Sequence, residues 1–332
     1  MTNNKTKKRV LSGIRATGRL HLGNYMGAVK GMLTLQDNKE YETLYMVADM
    51  HALTTPFEAN ELSVNRREVI IDYLAAGLDP KKSIIFQQAD VNLHAELAFY
   101  FSSVTTVAQM NHLPTFKEKA KQHPENITMA LLNYPLLMAA DILIYKAGLV
   151  PVGLDQEPHL EIAREIARKM NSNYGIDFPE PKRFITKGEY IPSLLGKGKM
   201  SKSVEGSGID LTDDLKTIAK KLSKTPTDSG QGKTVPTEGG VANLLTFVSL
   251  FEGEAKRKEY ENLYTSSGIR YGDLKKSLAE AIYAELKPIQ ERRAELEANL
   301  EYVDQVILDG AKRAQEIAKK TIFEVKEKMG LI

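Results

Sequence analysis

The first two-thirds of the chain alternate short apolar runs with longer segments of helical spacing. Apolar residues dominate residues 10–14, 43–48 and 83–87, and each run has the length of a buried strand. Between them, residues 23–35 and 62–78 place apolar side chains three and four positions apart, which predicts amphipathic helices. Strands that alternate with helices indicate βαβ units. The predicted fold class is therefore α/β, with a doubly wound parallel sheet.

The strand signals fade after residue 212. Four later segments have helical spacing and charge-rich faces: residues 213–223, 241–251, 272–299 and 301–329. Gly, Pro and Thr crowd residues 225–240, which predicts a loop. We therefore expect two domains, a sheet domain at residues 1–210 and an all-helical C-terminal domain at residues 211–332.

Polar side chains follow the predicted strands. Arg15 comes after the first strand, Asp49 and His51 after the second, and Gln88 after the third. Ligands of open parallel sheets bind outside the carboxyl ends of the strands. We therefore expect these four side chains to face one crevice.

Composition narrows the classes of function. The 45 Lys and Arg residues nearly balance 43 Asp and Glu residues, and the net charge of +2 argues against a DNA-coating protein. The absence of cysteine excludes disulfides and thiolate metal ligands, and the six histidines lack HExxH spacing, so we expect no metal site and no protein-bound zinc. No stretch is long and apolar enough to span a bilayer, and the apolar run after the basic N-terminus is too short for a signal peptide. We expect a cytoplasmic protein with neither DNA nor a membrane as partner.

Two short segments carry candidate phosphate chemistry. Residues 199–203 read Lys-Met-Ser-Lys-Ser (the KMSKS segment) on a glycine-flanked loop, where two lysines can stabilise charge on a polyphosphate. Residues 21–24 read His-Leu-Gly-Asn (the HLGN segment) at a predicted strand-to-helix turn, where backbone N–H groups favour anions. A solvated basic loop and an ordinary strand–turn–helix junction are the alternatives. A P-loop look-alike at residues 230–234 lacks the upstream glycine and a preceding strand, so we interpret it as a surface loop.

An acidic residue interrupts an apolar helical run at residues 134–143. Asp141 lies about one helical turn after Met138, and Tyr134 lies a turn before Met138, so the three share a face. Acidic residues are seldom buried without a partner. An apolar wall with one carboxylate suits a flat aromatic ring that carries a single N–H donor. A plain core helix is the alternative.

The two segments, with residues 12–14, 133–143 and 150–156, resemble the bacterial-type tryptophanyl branch of the class I aminoacyl-tRNA synthetases. Asn24, in the last position of the HIGH motif, resembles that branch. Residues 15–18 (Arg-Ala-Thr-Gly) and Met50 depart from the family's usual Gln-Pro-Ser/Thr-Gly and Asp-Gln-His. The resemblance implies a Rossmann-like catalytic domain with ATP and tryptophan sites. It also implies a C-terminal helical domain that binds the tRNA anticodon arm, and a homodimer bridged by tRNA.

The resemblance implies that L-tryptophan and ATP form tryptophanyl-adenylate and pyrophosphate, and that the adenylate then esterifies tRNA(Trp). Mg²⁺ would arrive with ATP. The implied catalytic residues are Lys199, Lys202, His21, Asn24 and Lys117. The implied ATP-binding residues are Arg15, Ala16, Thr17, His21, Gly23, Asn24, Gly153, Leu154, Asp155, Ile191, Lys199, Met200, Ser201, Lys202 and Ser203. The implied tryptophan-binding residues are Asp141, Tyr134, Met138, Gln156, His51, Val150 and Val152.

Three other functions stay open on the sequence. A tyrosyl-tRNA synthetase also pairs an aspartate with an aromatic substrate, although the Met-Ala-Ala-Asp run at residues 138–141 resembles the tryptophan branch. A small-molecule adenylyltransferase shares HxGH chemistry but does not account for the long helical tail. A non-catalytic RNA-binding paralogue is disfavoured by the retained Lys199, Lys202 and Asp141.

Overall fold

The computed structural model describes residues 7–122, 124–185, 190–202 and 204–332. Its centre is a five-stranded sheet in the order β3-β2-β1-β4-β5, with all strands parallel. The strands are β1 (Lys8–Arg15), β2 (Tyr41–Ala48), β3 (Ser83–Gln87), β4 (Leu149–Pro151) and β5 (Lys182–Phe184).

The register of the sheet follows from its buried runs. β1 pairs with β2 from Lys8 opposite Tyr41 to Arg15 opposite Ala48. All of β3 is buried, as is β2 from Thr43 onward, because helices cover both faces of a parallel sheet. The predicted α/β class with a doubly wound parallel sheet is confirmed, and the chain order turns back between β1 and β4, where such sheets place their ligands.

Helices supply most of the remaining structure. They are α1 (Leu22–Asn24), α2 (Lys30–Gln36), α3 (Ala59–Ala75), α4 (Leu93–Ser102), α5 (Val107–His112), α6 (Pro114–Gln122), α7 (Met129–Ile144), α8 (Glu157–Tyr174), α9 (Leu215–Ser223), α10 (Gly239–Phe251), α11 (Glu254–Thr265), α12 (Tyr271–Glu297) and α13 (Leu300–Lys328). A π-helical turn at Tyr25–Val29 follows α1, and short 3-10 turns include Met50–Thr54 and Leu154–Gln156. Among the described residues, no helix is both long and apolar enough to cross a bilayer.

Two compact units make up the described chain. The first, which we term the sheet unit, contains the described parts of residues 7–18, 30–185 and 296–332. The second, the helical unit, contains the described parts of residues 19–29 and 190–295. The HLGN and KMSKS segments therefore belong to one unit although some 180 residues separate them along the chain.

The last helix packs against the sheet. In α13, Gly310 lies so close to β3 that a Cβ there would be 2.7 Å from the carbonyl carbon of Ile85. The Arg313 Nη1 donates to the carbonyl oxygen of Pro80 at 2.8 Å, just before β3. An uncovered edge strand would invite pairing with another chain, and α13 protects β3 from this. The compact units thus differ from the predicted division at residue 210, because α13 belongs with the sheet.

Candidate active site

Asp141 is the centre of a buried polar cluster in the sheet unit. Its side chain projects from α7, an apolar helix whose first turn is capped by the Thr128 hydroxyl. The Asp141 Oδ2 accepts from His51 Nε2 at 2.8 Å. The other oxygen, Oδ1, accepts from Gln88 Nε2 at 2.7 Å and from His94 Nδ1 at 2.6 Å. Three separate segments therefore supply donors to one carboxylate.

These donors decide the charge of Asp141. Burial alone would raise the pKa of the carboxyl, but the hydrogen bonds from His51 and His94 outweigh burial and lower the pKa to about 2. The carboxylate is therefore ionised near neutral pH and acts only as a hydrogen-bond acceptor. An ionised acceptor suits a substrate that offers a lone N–H.

Aromatic and aliphatic side chains extend this cluster along α7. The Tyr134 ring meets the His51 ring edge-on, with centroids 6.5 Å apart, and the Tyr134 hydroxyl lies 2.6 Å from His159 Nε2. Met138 and Val152 are partly buried against the apolar core that contains Val150. The structure thus brings most of the predicted tryptophan-binding residues to one region of the sheet unit.

Gln156 and its neighbours lie where β4 leads into α8. Gly153 precedes the 3-10 turn Leu154–Gln156, Leu154 and Asp155 are exposed, and Gln156 Nε2 donates to Asp155 Oδ2 at 2.7 Å. Tyr134, the other residue predicted to hold the α-amino group, contacts His159 instead. The pairing of Gln156 with Tyr134 on one ligand stays a prediction.

Arg15 ends β1 with an unusual environment. Its Nη2 donates to the Thr55 hydroxyl at 3.2 Å, and its buried Nε has no hydrogen-bond acceptor among the described residues. Burial lowers the pKa of the guanidinium, while the nearby Tyr134 acts in the opposite direction. Ala16 is buried and Thr17 is exposed. A half-buried cation whose buried Nε has no acceptor among the described residues is suited to bind an anion.

The HLGN segment forms the start of a helix in the helical unit. The imidazole Nδ1 of His21 accepts from the Asn24 N–H at 3.3 Å, and the Asn24 Oδ1 accepts from the His21 N–H at 3.2 Å. This reciprocal capping box fixes the side chains of both residues. At Gly23, a Cβ would lie 2.8 Å from the His21 ring and 3.3 Å from Met200 Cβ, so the two segments are in close contact.

Backbone bonds and a buried methionine anchor the KMSKS segment. Met200 is 3 % exposed, and its N–H donates to the carbonyl oxygen of Ile191 at 2.9 Å. The Ser201 N–H donates to the Ser207 hydroxyl at 3.2 Å. Lys199 is exposed and Lys202 is half-buried. Ser203 lies outside the described residues.

Three positive-φ glycines turn the chain around the KMSKS segment. Gly196, Gly198 and Gly206 have φ angles of 85°, 74° and 76°. These turns form a tight loop, which the backbone hydrogen bonds of Met200 hold in place. The two lysines of the KMSKS segment lie on either side of the buried methionine.

The lysines of the KMSKS segment change the protonation of His21. Burial lowers the pKa of His21 to about 4, and Lys202 and Lys199 add to this effect while Asp210 opposes it. His21 is therefore neutral at pH 7, with its proton on Nε2 because Nδ1 accepts the Asn24 N–H. A neutral donor beside two lysines is an arrangement that binds polyanions.

Comparisons with known proteins identify the family to which this chain belongs. The family "tRNA synthetases class I (W and Y)" matches residues 3–287. A tryptophan–tRNA ligase of Porphyromonas gingivalis is 43% identical over 97% of this chain and 98% of its own length. One from Helicobacter pylori is 42% identical over 98% of this chain and 99% of its own. The chain belongs to the class I tRNA synthetases.

Solved structures agree with this assignment. The tryptophanyl-tRNA synthetase of Campylobacter jejuni, complexed with ADP and tryptophan, has a TM-score of 0.83 and 33% identity, covering 97% of this chain and 99% of that one. The enzyme of Mycoplasma pneumoniae has a TM-score of 0.85 and 31% identity, covering 98% of each. A tyrosyl-tRNA synthetase of Archaeoglobus fulgidus is 21% identical and shares the fold alone. The predicted family is confirmed, and the similarity is to its tryptophan branch.

Several residues of this polar cluster were not singled out from the sequence. His94, Tyr145 and His159 are buried and hydrogen-bonded around Asp141 and Tyr134. A lone histidine on an apolar helix face most often packs in a core, so the sequence carries little signal for them. Lys117 is exposed on α6, and its proposed catalytic part stays a prediction.

Proposed function

We propose that this protein is a tryptophan–tRNA ligase. The tryptophan carboxylate attacks the α-phosphorus of ATP, the bond to the β-phosphate oxygen breaks, and tryptophanyl-adenylate and pyrophosphate form. A ribose hydroxyl at the end of tRNA(Trp) then attacks the activated carbonyl and releases AMP. Neither step needs a protein nucleophile, so binding geometry and electrostatics carry the rate. The observation that carries the proposal is the ionised Asp141 in an apolar helix, in a chain similar to tryptophan–tRNA ligases.

Asp141 accepts the indole N–H. A hydrogen bond to a charged group contributes about 1.5–3 kcal/mol, enough to favour tryptophan over apolar analogues. Met138, Val150 and Val152 supply apolar surface for the ring, and His51 contacts the same carboxylate. Tyr134 and Gln156 hold the α-amino group.

The helical unit binds phosphate. His21, Gly23 and Asn24 present the start of a helix to ATP, and Ile191, Met200 and Ser201 support the loop that carries Lys199 and Lys202. These two lysines stabilise the negative charge that develops on the departing pyrophosphate. Ser203 is proposed to join them.

The sheet unit contributes further nucleotide contacts. Arg15, Ala16 and Thr17 contact phosphate from the end of β1, and Lys117 adds a further cation. Gly153, Leu154 and Asp155 contact the ribose. Mg²⁺ enters as part of the ATP substrate.

Tryptophan-dependent exchange of pyrophosphate into ATP tests the proposal. Tryptophan supports exchange in the wild type and tyrosine does not. Lys202→Ala slows exchange by about 10²–10³-fold while tryptophan binding stays near wild type, because the lysine acts on developing charge. Lys197→Ala, an exposed lysine on the same loop but outside the motif, is the matched control and stays near wild type. Exchange with tyrosine alone, or unchanged exchange in Lys202→Ala, contradicts the proposal.

We further infer a homodimer in the cytoplasm, with tRNA bridging the subunits and residues 211–332 contacting the anticodon arm. Large apolar side chains support the dimer, because Phe99 on α4, Val107 on α5 and Met129 on α7 are 63–75% exposed. α7 contacts both α4 and α5, so these exposed side chains lie on neighbouring helices of one unit. Light scattering on the wild type and on Phe99→Asp measures the mass directly, and a monomeric wild type contradicts the dimer.

A further inference from the structure

Three fully buried side chains lie behind Asp141, on the side away from His51, and have no part in the function proposed so far. His94 on α4, Gln88 after β3 and Tyr145 at the end of α7 are each 0% exposed. His94 Nδ1 lies 2.6 Å from Asp141 Oδ1, and His94 Nε2 lies 2.7 Å from the Tyr145 hydroxyl. Tyr145, His94 and Asp141 are therefore joined by a continuous chain of hydrogen bonds.

The direction of each bond in this chain follows from the end groups. Asp141 is an ionised acceptor, so His94 Nδ1 carries a proton and donates it. Burial raises the pKa of Tyr145 well above its ordinary value, so its hydroxyl keeps its proton and donates to His94 Nε2. This assignment gives each ring nitrogen of His94 a hydrogen-bond partner. The Phe86 ring packs edge-on to the Tyr145 ring, with centroids 5.6 Å apart.

The two oxygens of Asp141 are therefore not equivalent. Oδ1 accepts from both Gln88 and His94, which fills its two in-plane positions. Among the residues that the structure describes, Oδ2 accepts from His51 alone, so it is the oxygen able to receive another donor. His51 is also the least buried of the three partners that contact Asp141.

We propose that His94, with Tyr145 and Gln88 behind Asp141, is a positioning residue that sets the choice of amino acid. By occupying Oδ1 it fixes the carboxylate plane and reserves Oδ2 as an acceptor-only atom. Such an atom suits an indole N–H, which can only donate. This inference rests on the proposed contact between Asp141 and the indole.

Two substrates that differ in one group test the proposed role of His94. In β-(benzothiophen-3-yl)alanine a sulfur replaces the indole N–H with little change of shape. In pyrophosphate exchange, wild type prefers tryptophan by about 10–100-fold in kcat/KM, the worth of a charge-assisted hydrogen bond. His94→Leu lowers that preference about tenfold, through tryptophan alone. The kcat/KM for the sulfur analogue stays within about threefold.

A conservative variant and a variant at a second site distinguish loss of positioning from loss of the folded site. His94→Asn keeps an N–H near the Nδ1 position and retains most of the preference. Tyr145→Phe removes only the hydroxyl and lowers the preference about threefold, since His94 loses the partner that fixes its tautomer. Activity with the sulfur analogue shows in each case that the site is folded.

The outcomes separate this inference from the function it rests on. If wild type does not distinguish the two substrates, the contact between Asp141 and the indole is wrong. If wild type distinguishes them and His94→Leu does so equally, the role of His94 is overturned while that of Asp141 stands. If His94→Leu is inactive with both substrates, an unchanged preference in Tyr145→Phe overturns the inference, and a lowered preference supports it.

Discussion

His21 and Asp141 show how single residues obtain the protonation states that the chemistry needs. The Nδ1 of His21 is occupied by the Asn24 N–H, and burial beside two lysines keeps the ring neutral. Asp141 is more deeply buried, yet its histidine partners keep it ionised. In both cases neighbours contributed by distant parts of the chain set the charge, so the residue type alone does not determine it.

His21 is expected to stay neutral down to about pH 4, and Lys202→Ala is expected to raise its pKa because that lysine is its strongest charged neighbour. NMR titration of the ring Cε1–H measures both values. Because an unfolded histidine takes up its proton near pH 6.5, protonation linkage favours unfolding as the pH falls from about 6.5 to about 4. Lys197→Ala serves as the control and leaves the titration unchanged. A wild-type midpoint near 6.5 would contradict the effect of burial, and an unchanged midpoint in Lys202→Ala would show that this lysine does not act on His21.

Arg15 is expected to lower the free energy of unfolding while it contributes to anion binding. Arg15→Met removes a buried donor without an acceptor among the described residues, so the free energy of unfolding rises by about 1 kcal/mol in the absence of substrates. Pyrophosphate exchange falls at the same time, since the anion-binding group is lost. Arg66→Met is the matched control. Arg66 donates to the buried Asp49 at 2.5 Å, so its loss destabilises the fold. Urea denaturation checks both variants, and a less stable Arg15→Met contradicts the argument.

At the scale of elements, the sequence predicts which runs of residues are buried. It does not predict which distant residues contact one another. β2 from Thr43 onward and all of β3 are continuously buried, and both strands were expected from the pattern alone. β5 has three residues, two of them charged, and gives no such signal. The HLGN and KMSKS segments were found because each is local in sequence. His94 was not, because its partners Asp141 and Tyr145 come from another helix about 50 residues away.

Gly310→Ala on α13 tests the contact between α13 and β3. In an ordinary helix this change stabilises by about 0.5–1 kcal/mol, but here the new Cβ would press on the Ile85 backbone, which cannot move away. We expect a loss of about 2–3 kcal/mol in the free energy of unfolding, the cost of overpacking. Gly272→Ala on α12 is the matched control, because nothing lies within 4 Å of its Cβ position. Equal effects at the two positions would mean that α13 does not touch β3 as described.

For the whole molecule, the pattern predicted a sheet followed by helices, and this order is confirmed. It could not predict that the final helix returns to the sheet, because an amphipathic helix fits any apolar surface of suitable size. The face of α13 that carries Ala314, Ala318, Ile322 and Val325 joins the core that β2, β3 and α7 share. The core around the sheet is therefore complete only when α13 is present.

A chain that stops after residue 298 is consequently expected to misfold. It lacks the buried Val303, Val306, Ile322 and Val325, each contributing about 1.5–3 kcal/mol, while a whole domain is stable by only about 5–15 kcal/mol. It also exposes the β3 edge, so it should aggregate and lose pyrophosphate exchange as well as tRNA charging. A chain that stops after residue 329 removes the exposed Leu331 and Ile332 and should behave as wild type. If the shorter chain stayed soluble and supported tryptophan-dependent exchange, the sheet would fold without α13, and the argument would be wrong.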